Sequence, residues 1–288
     1  MLKVFSYCFY LFLKFIDSII KIFFKKSYLI YIREFLHNDS YETIEILNKK
    51  INFFIPNQTV SYRVKTFFTK EPETLNWIDS FDNENRFVLW DIGANIGLYS
   101  IYASLKHSNC EVISFEPSTS NLRILSRNIS INNLENKIKI FTNPLYNKTD
   151  QFSKMQEGKF LEGGALNSFD ADYNFEGKNF ESKMNYQLLG KSINSILENK
   201  ILEVPSHIKL DVDGIEHLIL EGGDKYLKHE NLLTLSVEVN ENFTDQYKRV
   251  LKIMKENNFK VLHKKNNEEM YKNRISKHSN TFNYIFVR

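Results

Sequence analysis

The chain has 288 residues, with 38 Lys and Arg against 35 Asp and Glu, 42% hydrophobic residues and two cysteines, Cys8 and Cys110. So small a net charge argues against a dedicated nucleic-acid binder, and so few cysteines exclude a disulfide framework. At this length a sizeable core forms without such a staple, which predicts a soluble, globular, cytoplasmic protein of one or two domains.

Residues 1–36 differ in kind from everything after them. Their longest stretch without a charge, Val4–Leu13, has ten residues, about half of the roughly 20 that a membrane span needs. Placed on a helix, Lys3, Tyr7, Tyr10, Lys14, Asp17, Ser18, Lys21 and Lys25 share roughly one third of the circumference, opposite Phe5, Phe9, Phe12, Leu13, Ile16, Ile20 and Phe23. A lysine stripe opposite an aromatic and aliphatic surface predicts an amphipathic helix, with residues 1–32 lying peripherally on the inner face of a membrane. Packing on the protein's own core, a dimer seam, and a tilted span with snorkelling lysines are the alternatives.

Residues 40–288 have the texture of one folded domain. In a lead-in over 40–80, Tyr41–Leu47, Lys50–Ile55 and Thr59–Phe68 predict strands, the last two turning at Pro56 and Asn57. Glu71-Pro72-Glu73-Thr74 then opens a short helix. Further strands are predicted over 87–92, 111–115, 137–141, 207–212, 232–239, 259–263 and 281–287, with helices following the first, second and fifth. Such alternation implies βαβ units and a parallel sheet covered on both faces. Residues 145–200 form an unusually long connection, expected to act as a lid over an acceptor through Phe152, Phe160, Phe169, Tyr173 and Tyr186.

The first βα turn reads Asp91-Ile92-Gly93-Ala94-Asn95-Ile96-Gly97. Glycines there let backbone approach a ligand at the carboxyl edge of the sheet. A nicotinamide fingerprint laid from Gly93 would need Gly where Asn95 stands and Gly or Ala where Leu98 stands. The Asp91 carboxylate also opposes a pyrophosphate, so a ligand with a cationic amino group and no phosphate fits better, and S-adenosylmethionine (SAM) is such a ligand. Glu116, ahead of Pro117 at the end of the second strand, is placed to accept hydrogen bonds from ribose hydroxyls.

A third group is Lys209-Leu210-Asp211-Val212-Asp213-Gly214-Ile215-Glu216-His217. Ionisable side chains this dense at a buried strand end need partners. Asp211 or Glu216 is expected to take a proton from a substrate hydroxyl, with Lys209 pairing one of them. Asp211 and Asp213 with His217 offer a divalent-ion site as the alternative, though no metal is assigned. Glu238, near the end of the fifth strand, points to the same edge.

From about Tyr62 to Arg288 the chain resembles the FkbM family of SAM-dependent methyltransferases. The matching pieces are Lys70-Glu71-Pro72-Glu73-Thr74-Leu75-Asn76-Trp77, the Asp91–Gly97 turn, Phe115-Glu116-Pro117 and Ile208–Glu216, the last being the most specific. The resemblance implies a Rossmann-like α/β fold of seven mostly parallel strands with an antiparallel last strand. It also implies O-methylation of a saccharide, glycan-precursor or other small-molecule hydroxyl, lipid-linked if residues 1–32 meet a membrane. On this reading Asp91, Gly93, Ala94, Asn95, Gly97, Glu116, Pro117 and Asn143 hold SAM. Asp211, Glu216 and Lys209 are catalytic, and Asp213 and Glu238 face the acceptor. Asp213 stands where the family usually has Glu, and Asn143-Pro144-Leu145 replaces a typical Asn-x-Ala. A nicotinamide-dependent oxidoreductase and a membrane-attached glycan-binding protein without turnover are the alternatives. The oligomeric state is not indicated.

Overall fold

In the computed structural model, residues 1–82, 84–179, 182–266 and 279–288 are described. Two helices lead the chain, α1 (Leu2–Phe24) and α2 (Leu29–Asn38). One amphipathic helix was expected over this stretch. It is broken because Lys25 takes a left-handed conformation (φ 54°) and sends its N–H back to the Lys21 carbonyl.

Strands β1 (Tyr41–Ile46) and β2 (Lys49–Phe54) then pair with each other. Leu47 and Asn48 make the hairpin turn, both at positive φ, as a two-residue turn matched to strand twist requires. The third expected strand is instead helical: α3 (Gln58–Lys65), α4 (Phe67–Lys70) and α5 (Pro72–Asp79). The deciding residue is Asn57, whose side-chain oxygen accepts the Thr59 and Val60 N–H groups at 2.8 and 3.0 Å and caps α3. Val60 and Val64, four apart, then bury one face of that helix.

All seven predicted strands of the main sheet are present: β3 (Phe87–Ile92), β4 (Cys110–Phe115), β5 (Ile138–Phe141), β9 (His207–Leu210), β10 (Thr234–Asn240), β11 (Lys260–Lys265) and β12 (Thr281–Val287). Their order is β11-β12-β10-β9-β3-β4-β5. The strands from β10 to β5 run parallel, and β12 inserts antiparallel between β10 and β11. Every residue of β3 is buried, as a central parallel strand demands. Phe87 and Leu89 face a core built with the lead-in, α6 (Leu98–Lys106) and α7 (Thr119–Ile131). Val88, Trp90 and Ile92 face the other core, which holds α8 (Ile193–Glu198), α9 (Glu216–Glu221) and α10 (Thr244–Glu256).

The long connection is a small sheet, β7 (Ser168–Phe169), β6 (Gln151–Glu157) and β8 (Met184–Gly190) in that order, followed by α8. Strand order reverses between β3 and β9, so a crevice opens at their carboxyl ends, the place where open α/β sheets take ligands.

Asn57→Ala is expected to lower stability by about 1 kcal/mol, the usual weight of a helix cap, while Asn57→Asp keeps most of it. Urea denaturation checks this, and equal losses in the two variants would contradict the capping role.

Candidate active site

The crevice starts at the β3 turn. Gly93 has φ +88°, and a Cβ added there would lie 1.8 Å from the Asp211 carbonyl oxygen. Only glycine lets the ends of β3 and β9 meet so closely. Gly97, also at φ +88°, starts α6, and a Cβ there would meet Leu125 Cδ1 at 2.6 Å. Its contribution is therefore to seat α6 against α7; it does not line the cavity.

A cavity of about 390 Å³ lies against this turn, in the range of small-molecule sites. Ala94, Asn95, Tyr99, Asp211, Asp213 and Glu238 are among its lining residues. Its wall carries five carboxylates (Glu71, Glu73, Asp211, Asp213, Glu238) and three cations (Arg63, Lys70, Lys209). Lys209 is buried, pairs with Asp211 at 2.7 Å and sits 4.9 Å from the centre of the Tyr99 ring. Lys70 pairs with Glu71 at 2.6 Å, and the Tyr99 hydroxyl donates to the same carboxylate at 3.0 Å. Burial opposes the charge on Glu71, but Lys70 and Lys209 prevail and hold it at about 2.

Glu238 and Asp213 behave oppositely. Burial and the neighbouring Asp211, Asp213 and Glu71 push Glu238 well above the carboxylate range. Burial and Asp211 push Asp213 up to about 6, even though Asp213 accepts the Leu166 N–H at 2.6 Å. The cavity therefore carries surplus acid. It favours a cationic ligand and opposes a phosphate.

A second, smaller space of about 80 Å³ adjoins it on the β4 side, lined by Glu116, Pro117, Asn121, Asn143 and Phe169. Glu116 is buried and accepts the Asn95 and Ser118 N–H groups, each at 2.8 Å. Burial nevertheless lifts it to about 8. The space is narrow because the Asn95 and Asn121 amides both donate to the Gly164 carbonyl, at 2.7 and 3.1 Å, drawing residues 161–167 over the turn.

Asp91 stands just below the turn, outside the cavity lining. One carboxylate oxygen accepts the Ser100 hydroxyl at 2.5 Å, and the other is buried without a partner among the described residues. The side-chain oxygens of Asn95 and Asn121 are equally unpartnered. The two orphaned acceptors among the lining residues, on Asn95 and Asn121, suit a ligand rich in N–H and O–H donors, and SAM, with an ammonium group, ribose hydroxyls and an adenine amine, fits them.

Most of the expected site residues thus converge, with clear exceptions. Glu216 was expected to work on the substrate. Its carboxylate is buried away from the cavity and accepts the Val212 and Gly214 N–H groups, at 3.0 and 3.1 Å, and the Gln246 amide. Asp91 and Gly97 support the turn from behind. Asn143 lines the small space while donating to the Leu189 carbonyl at 2.9 Å. Among the lid aromatics only Phe169 lines it; Phe152 and Phe160 are exposed, Tyr173 packs on Phe243, and Tyr186 donates to Glu157 at 2.6 Å. The part of the connection that closes the site is the aliphatic loop around Ala165 and Leu166. His217 is buried beside Phe243, remote from Asp211 and Asp213 in its contacts, and no cluster able to hold a metal occurs among the described residues.

Sequence reasoning missed the site roles of Arg63, Lys70, Glu71, Tyr99 and Asn121. Lys70 and Glu71 stood in a recognised segment, yet adjacent opposite charges at a helix start look like surface residues. Asn121 looked like an ordinary residue in the first turn of α7.

Comparison with known proteins follows the same lines. The methyltransferase sdnD of Sordaria araneosa is 38% identical over 55 residues, 19% of this chain and 21% of that protein. The chain thus matches about a fifth of the length of this curated relative. The solved methyltransferase FkbM of Methylobacillus flagellatus KT aligns with 80% of this chain and 54% of its own, at 16% identity and a TM-score of 0.44. The precorrin-6y C5,15-methyltransferase of Geobacter metallireducens GS-15 aligns with 88% of this chain and 95% of its own, at 14% identity and a TM-score of 0.44. Residues 91–261, more than half of the chain and the whole stretch from the β3 turn into β11, match the methyltransferase FkbM domain, and the chain belongs to that family.

Proposed function

We propose that the chain is a SAM-dependent O-methyltransferase whose acceptor is a hydroxyl of a saccharide or glycan precursor. The observation that carries this reading is the acid-rich cavity abutting the Gly93 turn, with Glu238 on its wall and in no ion pair among the described residues. When bound, SAM supplies an electrophilic methyl group on a sulfonium centre. Asn95, Asn121 and Glu116 would hold the adenosine side through the orphaned oxygens and the buried carboxylate. The surplus of carboxylates in the larger cavity favours the cationic side. The same surplus opposes the pyrophosphate of a nicotinamide cofactor, so the oxidoreductase alternative gains no support.

The chain's remaining work is to place an acceptor oxygen and remove its proton. Arg63, Asp211, Asp213 and Asn283 line the cavity with hydrogen-bonding groups suited to a polyhydroxylated molecule. Glu238 is the better proton acceptor. Asp211 is tied to Lys209, whereas Glu238 has no paired cation among the described residues and a raised proton affinity. Asp211 and Lys209 act as a fixed pair that orients the acceptor. Loop 161–167 keeps water from the site.

Calorimetry on the full chain is expected to show micromolar binding of SAM and of its demethylated product and none of NADH; NADH binding alone would overturn the reading. Glu116→Ala should weaken SAM binding at least tenfold with an unchanged circular dichroism spectrum.

Glu238→Gln should leave SAM affinity nearly unchanged and lower kcat by roughly 10²–10⁴, the usual weight of general-base help. A group with a raised pKa loses its proton late, so kcat should climb with pH and level off above the ordinary carboxylate range. Glu238→Gln should flatten that limb; a wild-type profile already flat from acid to neutral pH would exclude Glu238 as the base.

A further inference from the structure

Among the described residues, the densest run of exposed apolar side chains lies far in sequence from the cavity, on α1 and α2. Phe5, Phe9, Phe12, Phe15, Phe23 and Phe24 on α1 are all exposed, and α2 buries no residue at all. Such a surface is unusual on a protein that is to stay in water. No helix among the described residues is long and apolar enough to cross a membrane.

The two helices nevertheless form a fixed hairpin. Asp17, the one buried residue of α1, accepts the Tyr28 and Leu29 N–H groups at 2.9 and 3.3 Å and the Ser27 hydroxyl at 2.8 Å. It thereby caps α2 from across the bend. Lys21 pairs with it at 2.8 Å, and the Tyr28 hydroxyl donates to the Leu13 carbonyl at 3.0 Å. Burial opposes ionisation of Asp17, but Lys21, Ser27 and the Leu29 N–H hold it at about 2. The only acid before Glu34 is therefore internally neutralised, while Lys3, Lys14, Lys25, Lys26 and Arg33 remain to set the charge of the hairpin. A net basic element with exposed phenylalanines is complementary to an anionic lipid surface.

The far end of the hairpin is clipped to the domain. Arg127 on α7 donates to His37 at 2.5 Å and to the Tyr41 hydroxyl at 2.6 Å, and its guanidinium lies 3.9 Å from the Phe54 ring centre. Burial, Arg127 and Arg123 push the His37 imidazole down, so a neutral ring receives these donors. Arg123, 3.3 Å from the same ring, also pairs with Glu162 at 2.8 Å. Glu162 belongs to the loop walling a vestibule of about 480 Å³, which shares Arg63, Lys70, Ala165 and Leu166 with the main cavity.

We propose that the α1–α2 hairpin docks the protein on an anionic lipid bilayer, lying in its interface without crossing it. The chain His37–Arg123–Glu162 sets the vestibule beside that surface. Resting on the proposed reaction, this placement makes a lipid-linked saccharide the acceptor within reach.

Flotation of the full chain with vesicles tests the docking without reference to methyl transfer. Vesicles of phosphatidylcholine mixed with phosphatidylglycerol should bind at least about tenfold more tightly than phosphatidylcholine alone, and added salt should weaken the binding. The triple variant Phe5→Ser, Phe9→Ser, Phe12→Ser should lose it, and Lys14→Glu with Lys25→Glu should lose the preference for anionic lipid. SAM affinity, measured in parallel, should stay unchanged in both and so reports separately on the proposed reaction and on folding. A wild-type chain that stays off both vesicles, that forms a hairpin-sealed dimer in their place, or that resists alkaline extraction as a spanning protein does, would overturn the proposal.

Discussion

A buried ammonium persists in a protein only where opposite charge surrounds it. Lys209 meets that condition: burial alone would strip its proton, but Asp211, Asp91 and Glu71 hold it charged. Those three carboxylates come from the residue just after β9, from β3 and from the corner between α4 and α5. One cation therefore requires three segments, distant in sequence, to converge at the carboxyl edge of the sheet. Gly93 permits the convergence, since any side chain there would strike the Asp211 carbonyl. The crevice is thus a consequence of neutralising Lys209, with the cavity forming around the charges left over.

Those leftover charges are sorted by their neighbours. Glu71, beside Lys70 and Lys209, stays ionised. Asp213, Glu238 and Glu116 have no ion pair among the described residues, and burial raises all three. Carboxyl groups of one chemical type so acquire two behaviours, fixed anions that shape the site and proton-holding groups able to respond to a cation or a hydroxyl. A ligand carrying positive charge would favour ionisation of the second group.

The main sheet was legible because its inner strands, such as Phe87–Ile92 and Cys110–Phe115, are largely buried on both faces and read as mostly apolar runs. Legibility failed where a single side chain decides between conformations. Thr59–Phe68 is rich in β-branched and aromatic residues, and only the Asn57 cap tips it to helix. In the N-terminal segment Asp17 looked like one more polar residue on a lysine stripe, but its carboxylate closes a hairpin that periodicity does not show. The site residues at strand ends were readable from motif and position. Those reaching in from α3, α6 and α7, among them Arg63, Tyr99 and Asn121, were not, because nothing in a helix sequence states which neighbour it will face.

Glu216 shows how a residue can belong to a functional motif without entering the cavity. The loop ahead of it must turn sharply: Asp213 has φ 64° and Gly214 φ 123°, and a Cβ on Gly214 would meet the Phe175 backbone at 2.9 Å. A non-glycine residue in the left-handed region costs energy and needs support. Glu216 provides it by accepting the Val212 and Gly214 N–H groups on either side of Asp213. With the turn clamped, the Asp213 carboxylate projects into the cavity and accepts the Leu166 N–H, two residues from the Gly164 carbonyl that Asn95 and Asn121 hold. The β9 loop, the closing loop and the β3 turn are therefore linked in series. A carboxylate buried away from the substrate still sets the wall against which the substrate would lie, and its removal would act through the position of Asp213.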